Sequence, residues 1–138
     1  MNTIISTDAN KNVSFFATNL QTNEFELRFW RNISQLQQDN RWLCVVCPHK
    51  MPNKAFLESV GINLNRMLVI HSNVNQDSVQ ITKKALQMGK CATVVSWIEN
   101  LSTEDKNDLI EISASSQANC IMVKPLKANK PAKLKLVS

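Results

Sequence analysis

Four short, mostly apolar runs recur along the chain, each about the length of a β-strand, and segments with helical periodicity separate them. The runs occupy residues 42–47, 67–70, 91–98 and 120–123. Unbroken runs such as 42–47 and 67–70 predict strands that helices bury on both faces. Between them, Pro52 can open a helix that stops at Gly61, and further helices are predicted over about 76–88 and 102–115. Strands that alternate with helices in this way are connected by right-handed crossovers. The sequence therefore predicts an α/β fold, with a parallel sheet covered by helices on both faces.

The two ends of the chain lack the alternation of strands and helices that is predicted for the middle. Residues 1–23 are rich in Asn, Thr and Ser, and only Val13-Ser14-Phe15-Phe16 suggests a strand. We interpret 1–23 as a flexible N-terminal arm with one pairing segment, and 24–138 as a single domain that starts with an amphipathic helix over 24–38. The apolar-polar alternation that begins at Leu134 fits an edge strand.

Glycine content limits the chemistry. The chain has two glycines, Gly61 and Gly89, so neither a phosphate-binding loop nor a dinucleotide-binding glycine motif can be written. His49 and His71 lack the i, i+4 spacing of a zinc-protease helix. His49 could act as a general base, but no nucleophile is identified beside it, so a surface histidine is the favoured interpretation. We expect no cofactor and no metal.

Cys44-Val45-Val46-Cys47 matches the CxxC pattern of thiol oxidoreductases. In a strand, residues three apart point to opposite faces, so the two sulfur atoms should diverge. The apolar surroundings also lack the helix start that lowers a thiol pKa in redox motifs. We therefore predict buried structural cysteines, and the absence of a secretory signal favours a reducing, cytoplasmic setting. Apolar runs this short cannot cross a membrane.

A net charge of +5 favours acidic partners, and lysines crowd the C-terminal stretch from Lys124 to Lys135. These lysines could contact phosphates, although they lack the interleaved aromatic residues of a single-strand binder. Trp42 and Trp97 are more often core residues than contacts, but a Trp at the carboxyl end of a strand can anchor a partner. The acidic residues from Glu104 to Glu111 suit the start of a helix.

The order and spacing of several segments resemble the bacterial SulA cell-division inhibitors over about residues 24–125. The segments are NRW at 40–42, FLESVGINLNRM at 56–67, SV at 78–79, ALQMGK at 85–90, VVSWI at 94–98, LSTED at 101–105 and IMVKP at 121–125. The family is a degenerate relative of the RecA core that lacks the nucleotide-binding loop. Ser96-Trp97 stands where a RecA-like ATPase would place its magnesium-binding acid, which argues against ATP hydrolysis.

The resemblance implies an inhibitor rather than an enzyme, produced in the SOS response to DNA damage. It would bind FtsZ and block FtsZ polymerisation. GTP hydrolysis by FtsZ and septation would then be blocked as well. Family positions important for inhibition match Arg41, Val46, Phe56 and Arg66. Phe56 replaces a family Trp and Arg66 a family Lys, and both keep the physical character of the position. The cations suit the acidic FtsZ surface and would steer encounter.

The resemblance also suggests degradation by the Lon protease and allows a homodimer, in which the edge strand at 134–137 could pair between subunits. Nucleic-acid binding is the alternative function, as a RecA-like DNA-binding accessory of SOS repair. That alternative rests on the positive net charge and the lysine-rich C-terminal stretch, and it predicts salt-sensitive binding to single-stranded DNA.

Overall fold

In a computed structural model of the protein, residues 3–7, 13–18, 23–37, 41–72 and 77–125 are described. Their helices and strands, in chain order, are β1 Thr3–Thr7, β2 Val13–Thr18, α1 Asn23–Gln35, β3 Trp42–Val46, α2 Lys54–Ser59, β4 Met67–Ile70, α3 Ser78–Gln87, β5 Cys91–Trp97, α4 Thr103–Ser116 and β6 Asn119–Pro125. A short 3-10 turn, Leu64–Arg66, leads into β4. The expected edge strand at 134–137 and most of the lysine-rich stretch lie outside the described residues.

The strands form one sheet in the order β1-β2-β6-β5-β3-β4. Strands β2, β6, β5, β3 and β4 are parallel to their neighbours, and β1 joins the edge antiparallel to β2. Helices α3 and α4 cover one face, which we call the α3 face, and helices α1 and α2 cover the other, which we call the α1 face. This arrangement confirms the predicted α/β class with helices on both faces.

The structure confirms the one pairing segment expected in the N-terminal arm and adds a second strand that the sequence did not predict. The pairing segment expected at 13–16 lies within β2, which pairs in parallel with β6 from Val13↔Cys120 onward. Val13 is fully buried, and the Lys106 ammonium of α4 lies 4.9 Å from the centre of the Phe15 ring. Thr3–Thr7 adds the antiparallel strand β1. These segments belong to the sheet because each finds a ladder of backbone partners there, which composition alone does not reveal.

The helices begin and end largely where the sequence predicts. Ser102 accepts a 3.0 Å hydrogen bond from the Asp105 amide at the start of α4, and Asp77 does the same for Gln80 at the start of α3. Gly61 and Gly89 follow α2 and α3 with φ of +97° and +74°, so both stops are confirmed. Helix α4 ends instead at Gln117, which adopts the left-handed conformation with φ of 53°.

Strand β4 is not buried as predicted. It lies at the sheet edge, and the side chain of Leu68 is 48% exposed, whereas every residue of β5 is buried. The four apolar residues of β4 therefore gave a wrong prediction of burial on both faces. An apolar run of this length fits either a central strand or an edge strand, since strand order is not encoded in one strand's own composition.

An aromatic cluster fills the α1 face. The rings of Trp30 and Trp97 stack with centroids 6.3 Å apart, and Phe29 packs edge-on against Trp30 at 5.2 Å. Trp97 is 2% exposed. The side chain of Trp97 is thus a core residue, whereas that of Trp42 is 37% exposed.

Candidate partner-binding surface

Arg41 immediately precedes β3, and its half-buried side chain reaches across to the end of α4. Its guanidinium donates hydrogen bonds to the carbonyl oxygens of Gln117 at 2.9 Å, Ser116 at 3.3 Å and Cys91 at 3.5 Å. Carbonyls at a helix C-terminus lack intrahelical donors and carry partial negative charge, so a cation is favourable there. Arg41 thereby ties β3, β5 and α4 together.

Arg66 occupies the equivalent place before β4, at the end of the 3-10 turn. The turn is capped by Asn63, whose side chain accepts a 3.0 Å hydrogen bond from the Asn65 amide. The Gln37 side chain accepts from the Asn63 amide at 2.7 Å and donates to the Arg66 carbonyl at 3.5 Å. These bonds fix the turn to the end of α1, and with it the backbone from which Arg66 projects.

The two arginines lie at the same edge of the sheet. Strands β3 and β4 are parallel neighbours with Leu43 opposite Met67, so Arg41 and Arg66 precede adjacent strands at their amino ends. Both side chains are half-buried. The structure therefore places two of the four residues that the family resemblance selects at one edge of the sheet, although the Arg41 side chain reaches toward β5 and α4, away from β4.

Phe56 and Val46 are placed differently. Phe56 lies on α2 and is half-buried against the α1-face cluster, with part of the ring available to a partner. Val46 is 0% exposed within the α3-face core, opposite Ile70 of β4. A direct contact from Val46 is not available in this fold, so any influence on binding has to act through the position of β3.

An exposed apolar groove, which the sequence reasoning missed, lies beside the two arginines. Trp42, Leu68 and Met88 are 37%, 48% and 66% exposed, and all three line a groove of about 230 Å³. We call this the β4 groove. Trp42 directly follows Arg41, and Leu68 follows Arg66 by two residues. The apolar composition of β4 was the one feature of the sequence that could have indicated the groove. Only the strand order shows that β4 lies at the edge of the sheet.

At the opposite, carboxyl edge of the sheet, a shallow cleft of about 420 Å³ lies among His49, His71, Asp77 and Trp97. This is the edge at which open α/β sheets bind ligands. Both histidines are exposed. Across the described ranges, no group of three or more His, Cys, Asp or Glu residues is arranged to hold a metal ion. We assign no catalytic or metal-binding role to this cleft.

In the described parts of the chain the four cysteines are free thiols; Cys44, Cys91 and Cys120 are buried and Cys47 is half-buried. A hydrogen bond to Cys91, together with burial, raises the pKa of Cys44. Burial raises the pKa of Cys120 to about 12. Cys47 differs from expectation: it lies past the end of β3 with φ of 52° and packs on the same face as Cys44. The predicted divergence of the two sulfurs fails because the strand alternation ends at Val46.

No helix in the described parts of the chain is long and apolar enough to span a bilayer.

Comparison with known proteins places the chain in a family. A family model described as cell division inhibitor SulA matches residues 19–121. Cell division inhibitor SulA of Pseudomonas aeruginosa is 30% identical over 94 residues, which cover 68% of this chain and 58% of the relative. Cell division inhibitor SulA of Serratia marcescens is 26% identical over 97 residues, covering 70% of this chain and 58% of the relative. The chain thus matches less than two thirds of the length of these relatives.

The fold agrees with a solved structure. The crystal structure of SulA from Pseudomonas aeruginosa superposes with a TM-score of 0.67 at 24% identity, covering 86% of this chain and 100% of that one. Structural likeness at this identity supports the fold, and the sequence matches supply the relationship. With a family model that covers most of its length, this chain belongs to the SulA family of cell division inhibitors.

Proposed function

We propose that this protein inhibits cell division by binding FtsZ and blocking its polymerisation, which lowers GTP hydrolysis because hydrolysis depends on assembly. Membership of the SulA family supports the division-inhibitor role. The FtsZ partner and the SOS context follow from what the family resemblance implies.

One observation carries the binding part of the proposal: a basic edge beside exposed apolar side chains. Arg41 and Arg66 precede adjacent parallel strands, and Trp42, Leu68 and Met88 stand exposed next to them. Interfaces take most of their affinity from a few apolar and arginine anchors, whereas surrounding charges speed encounter. This surface fits a partner face with apolar side chains and acidic surroundings.

Inhibition follows because the bound inhibitor occupies one of the faces through which FtsZ assembles. FtsZ subunits add to a filament through two opposite faces, and the resemblance implies that the inhibitor covers the face that completes the GTPase site of the next subunit. A subunit so covered cannot accept its neighbour. No residue of the inhibitor needs to reach the nucleotide for hydrolysis to fall.

Overproduction in a bacterium that carries the cognate FtsZ tests the proposal in cells. The expected result is long, unseptated filaments. Phe56→Ala and Arg66→Ala should each weaken filamentation at equal protein level, while Arg31→Ala, an exposed arginine of α1, should not. Normal division at high levels of the unchanged protein would contradict the proposal.

Binding of single-stranded DNA remains the alternative prediction, although most of the lysine-rich stretch that motivates it lies outside the described residues. Protein that fails to inhibit FtsZ but binds single-stranded DNA with strong salt dependence would favour that alternative. Degradation by Lon and formation of a homodimer also stay predictions.

A further inference from the structure

The β4 groove is the largest concentration of exposed apolar side chains in the described parts of the chain. Four large hydrophobic residues are exposed in the described parts of the chain. Three of them, Trp42, Leu68 and Met88, line this groove, and the fourth, Leu27, lies apart on α1. The groove lining also includes buried Cys44 and Cys91. Apolar side chains clustered in this way usually mark an interaction surface, whereas isolated ones do not.

The groove stays open because of where α3 sits. Helix α3 packs against β5 and, less extensively, against β3. Strand β4 lies beyond β3 at the sheet edge, so the α3-face side of Leu68 receives little cover from the helix. Within the described residues, the outer edge of β4 also has no strand beside it.

Among the described residues, the charged side chains on and beside the groove are basic. Residues 61–72 and 78–98, which supply most of the groove and its surroundings, contain no Asp or Glu. Lys90 lines the groove, Lys84 is exposed on α3, and Arg66 directly precedes β4. A partner segment with carboxylates beside an apolar side chain is complementary to this surface, whereas a basic segment would be repelled.

We propose that the β4 groove seats an apolar side chain of FtsZ, carried on a segment whose carboxylates face Lys90 and Arg66. This inference rests on the proposed function and names the part of the surface that supplies its apolar anchor. Phe56 packs on the α1 face, whereas the groove opens on the α3 face, and β4 lies at the edge between the two faces. The FtsZ segment therefore contacts the sheet edge from the α3 side.

Substitutions in the groove test the proposal with a matched control elsewhere. Leu68→Asp and Met88→Asp place a carboxylate where the partner's carboxylates and apolar side chain should lie. Leu27→Asp makes the same chemical change at an exposed leucine of α1. The measured quantity is the concentration of each variant that halves the pelleting of GTP-assembled FtsZ.

We expect that concentration to rise at least about tenfold for both groove variants, as for loss of a central anchor, and less than about twofold for Leu27→Asp. Circular dichroism and the melting temperature confirm that each variant is folded. If unchanged protein inhibits FtsZ and both groove variants inhibit equally well, this inference is overturned while the proposed function stands. If unchanged protein does not inhibit FtsZ, the proposed function itself fails.

Hydrogen–deuterium exchange of the unchanged protein gives a second test that requires no variant. The amides of Met67–Ile70 should exchange more slowly when FtsZ is added. Amides of β4 that do not bond to β3 are the informative ones. If these amides are already fully protected without FtsZ, and FtsZ does not alter them, the protein's own chain or a second copy covers the edge of β4. Light scattering separates these two outcomes: a dimer that Met88→Asp converts to a monomer identifies the second copy. Either outcome overturns the inference.

Discussion

The guanidinium of Arg41 donates a 2.9 Å hydrogen bond to the carbonyl of Gln117, the residue that ends α4 in the left-handed conformation. Two further carbonyls, of Ser116 and Cys91, accept from the same side chain. Arg41 is thus both a candidate partner contact and a structural tie between β3, β5 and α4. Loss of inhibition on removing Arg41 cannot by itself be assigned to a lost contact with FtsZ.

Arg41→Ala should lower the free energy of unfolding by about 1–3 kcal/mol, because charged hydrogen bonds to the carbonyls at the end of α4 are lost. Arg31→Ala, on the exposed surface of α1, should change it by less than about 0.5 kcal/mol. Urea unfolding measures both. An Arg41→Ala protein as stable as the unchanged chain would contradict the structural role described for Arg41.

The buried hydroxyls of Thr82 and Ser96 predict an unequal pair of substitutions. Thr82 donates to the Ser78 carbonyl at 2.6 Å, so Ser96 is the donor in the hydrogen bond between the two hydroxyls. Thr82→Val leaves the fully buried Ser96 hydroxyl without this acceptor and should cost about 1–3 kcal/mol. Ser96→Ala should cost less, since Thr82 keeps Ser78. The double variant should show positive coupling in a thermodynamic cycle; independent, additive effects would contradict this bonding arrangement.

Lys83 joins α3 to α4 through Asp105 at 2.8 Å and Asp108 at 3.0 Å. Hydrogen bonding to Asp105 raises the pKa of Lys83, and the same bond lowers the pKa of Asp105. A lowered carboxyl pKa contributes stability above its ordinary value of 3.8, and this is lost as the pH falls through the folded-state value. A raised lysine pKa contributes stability that is lost only at high pH, as the pH rises through the folded-state value.

Lys83→Met should therefore lower the melting temperature at pH 7, and the difference from the unchanged protein should shrink as the pH falls below about 3.8. Lys84→Met is the control, because Lys84 is the exposed neighbour on the same helix. A difference that stays constant from pH 7 to pH 2 would contradict the claim that the ion pair with Asp105 provides the stabilisation.

The thiols should differ in reactivity. Cys44 and Cys120 are fully buried, and burial contributes to the raised pKa of each, whereas Cys47 is only half-buried. Because the thiolate is the nucleophile and must be accessible, iodoacetamide at pH 8 should label Cys47 before Cys44 and Cys120, which should react only on unfolding. Mass spectrometry of timed samples measures the order. Rapid labelling of Cys120 in the folded protein would contradict the burial described for it.

Much of the fold could be predicted because local signals and tertiary structure agree. Ser102 caps α4, Gly61 and Gly89 end α2 and α3 with positive φ, and the buried residues 43–46 of β3 form a continuous apolar run. In each case a short stretch of sequence contains the physical cause of the structure, such as a side-chain acceptor, a residue tolerant of positive φ or an uninterrupted apolar surface.

The features that could not be predicted depend on which elements become neighbours. The edge position of β4 is set by strand order, and the β4 groove exists because α3 lies over β5 and β3. The bonds from Arg41 to α4 join residues 75 and 76 positions apart. The change of face at Cys47 depends on one backbone torsion just after β3. Periodicity along a single element carries no information about such relationships.

Sedimentation of FtsZ assembled with GTP, together with its GTPase rate, tests the central claim most directly. The cognate FtsZ is titrated with this protein, with Leu27→Asp as an active control variant. The account predicts that the pelleted fraction and the GTPase rate fall together toward zero as the inhibitor approaches the concentration of FtsZ. Pelleting and hydrolysis that both stay unchanged at excess inhibitor would contradict the claim that this protein blocks FtsZ assembly.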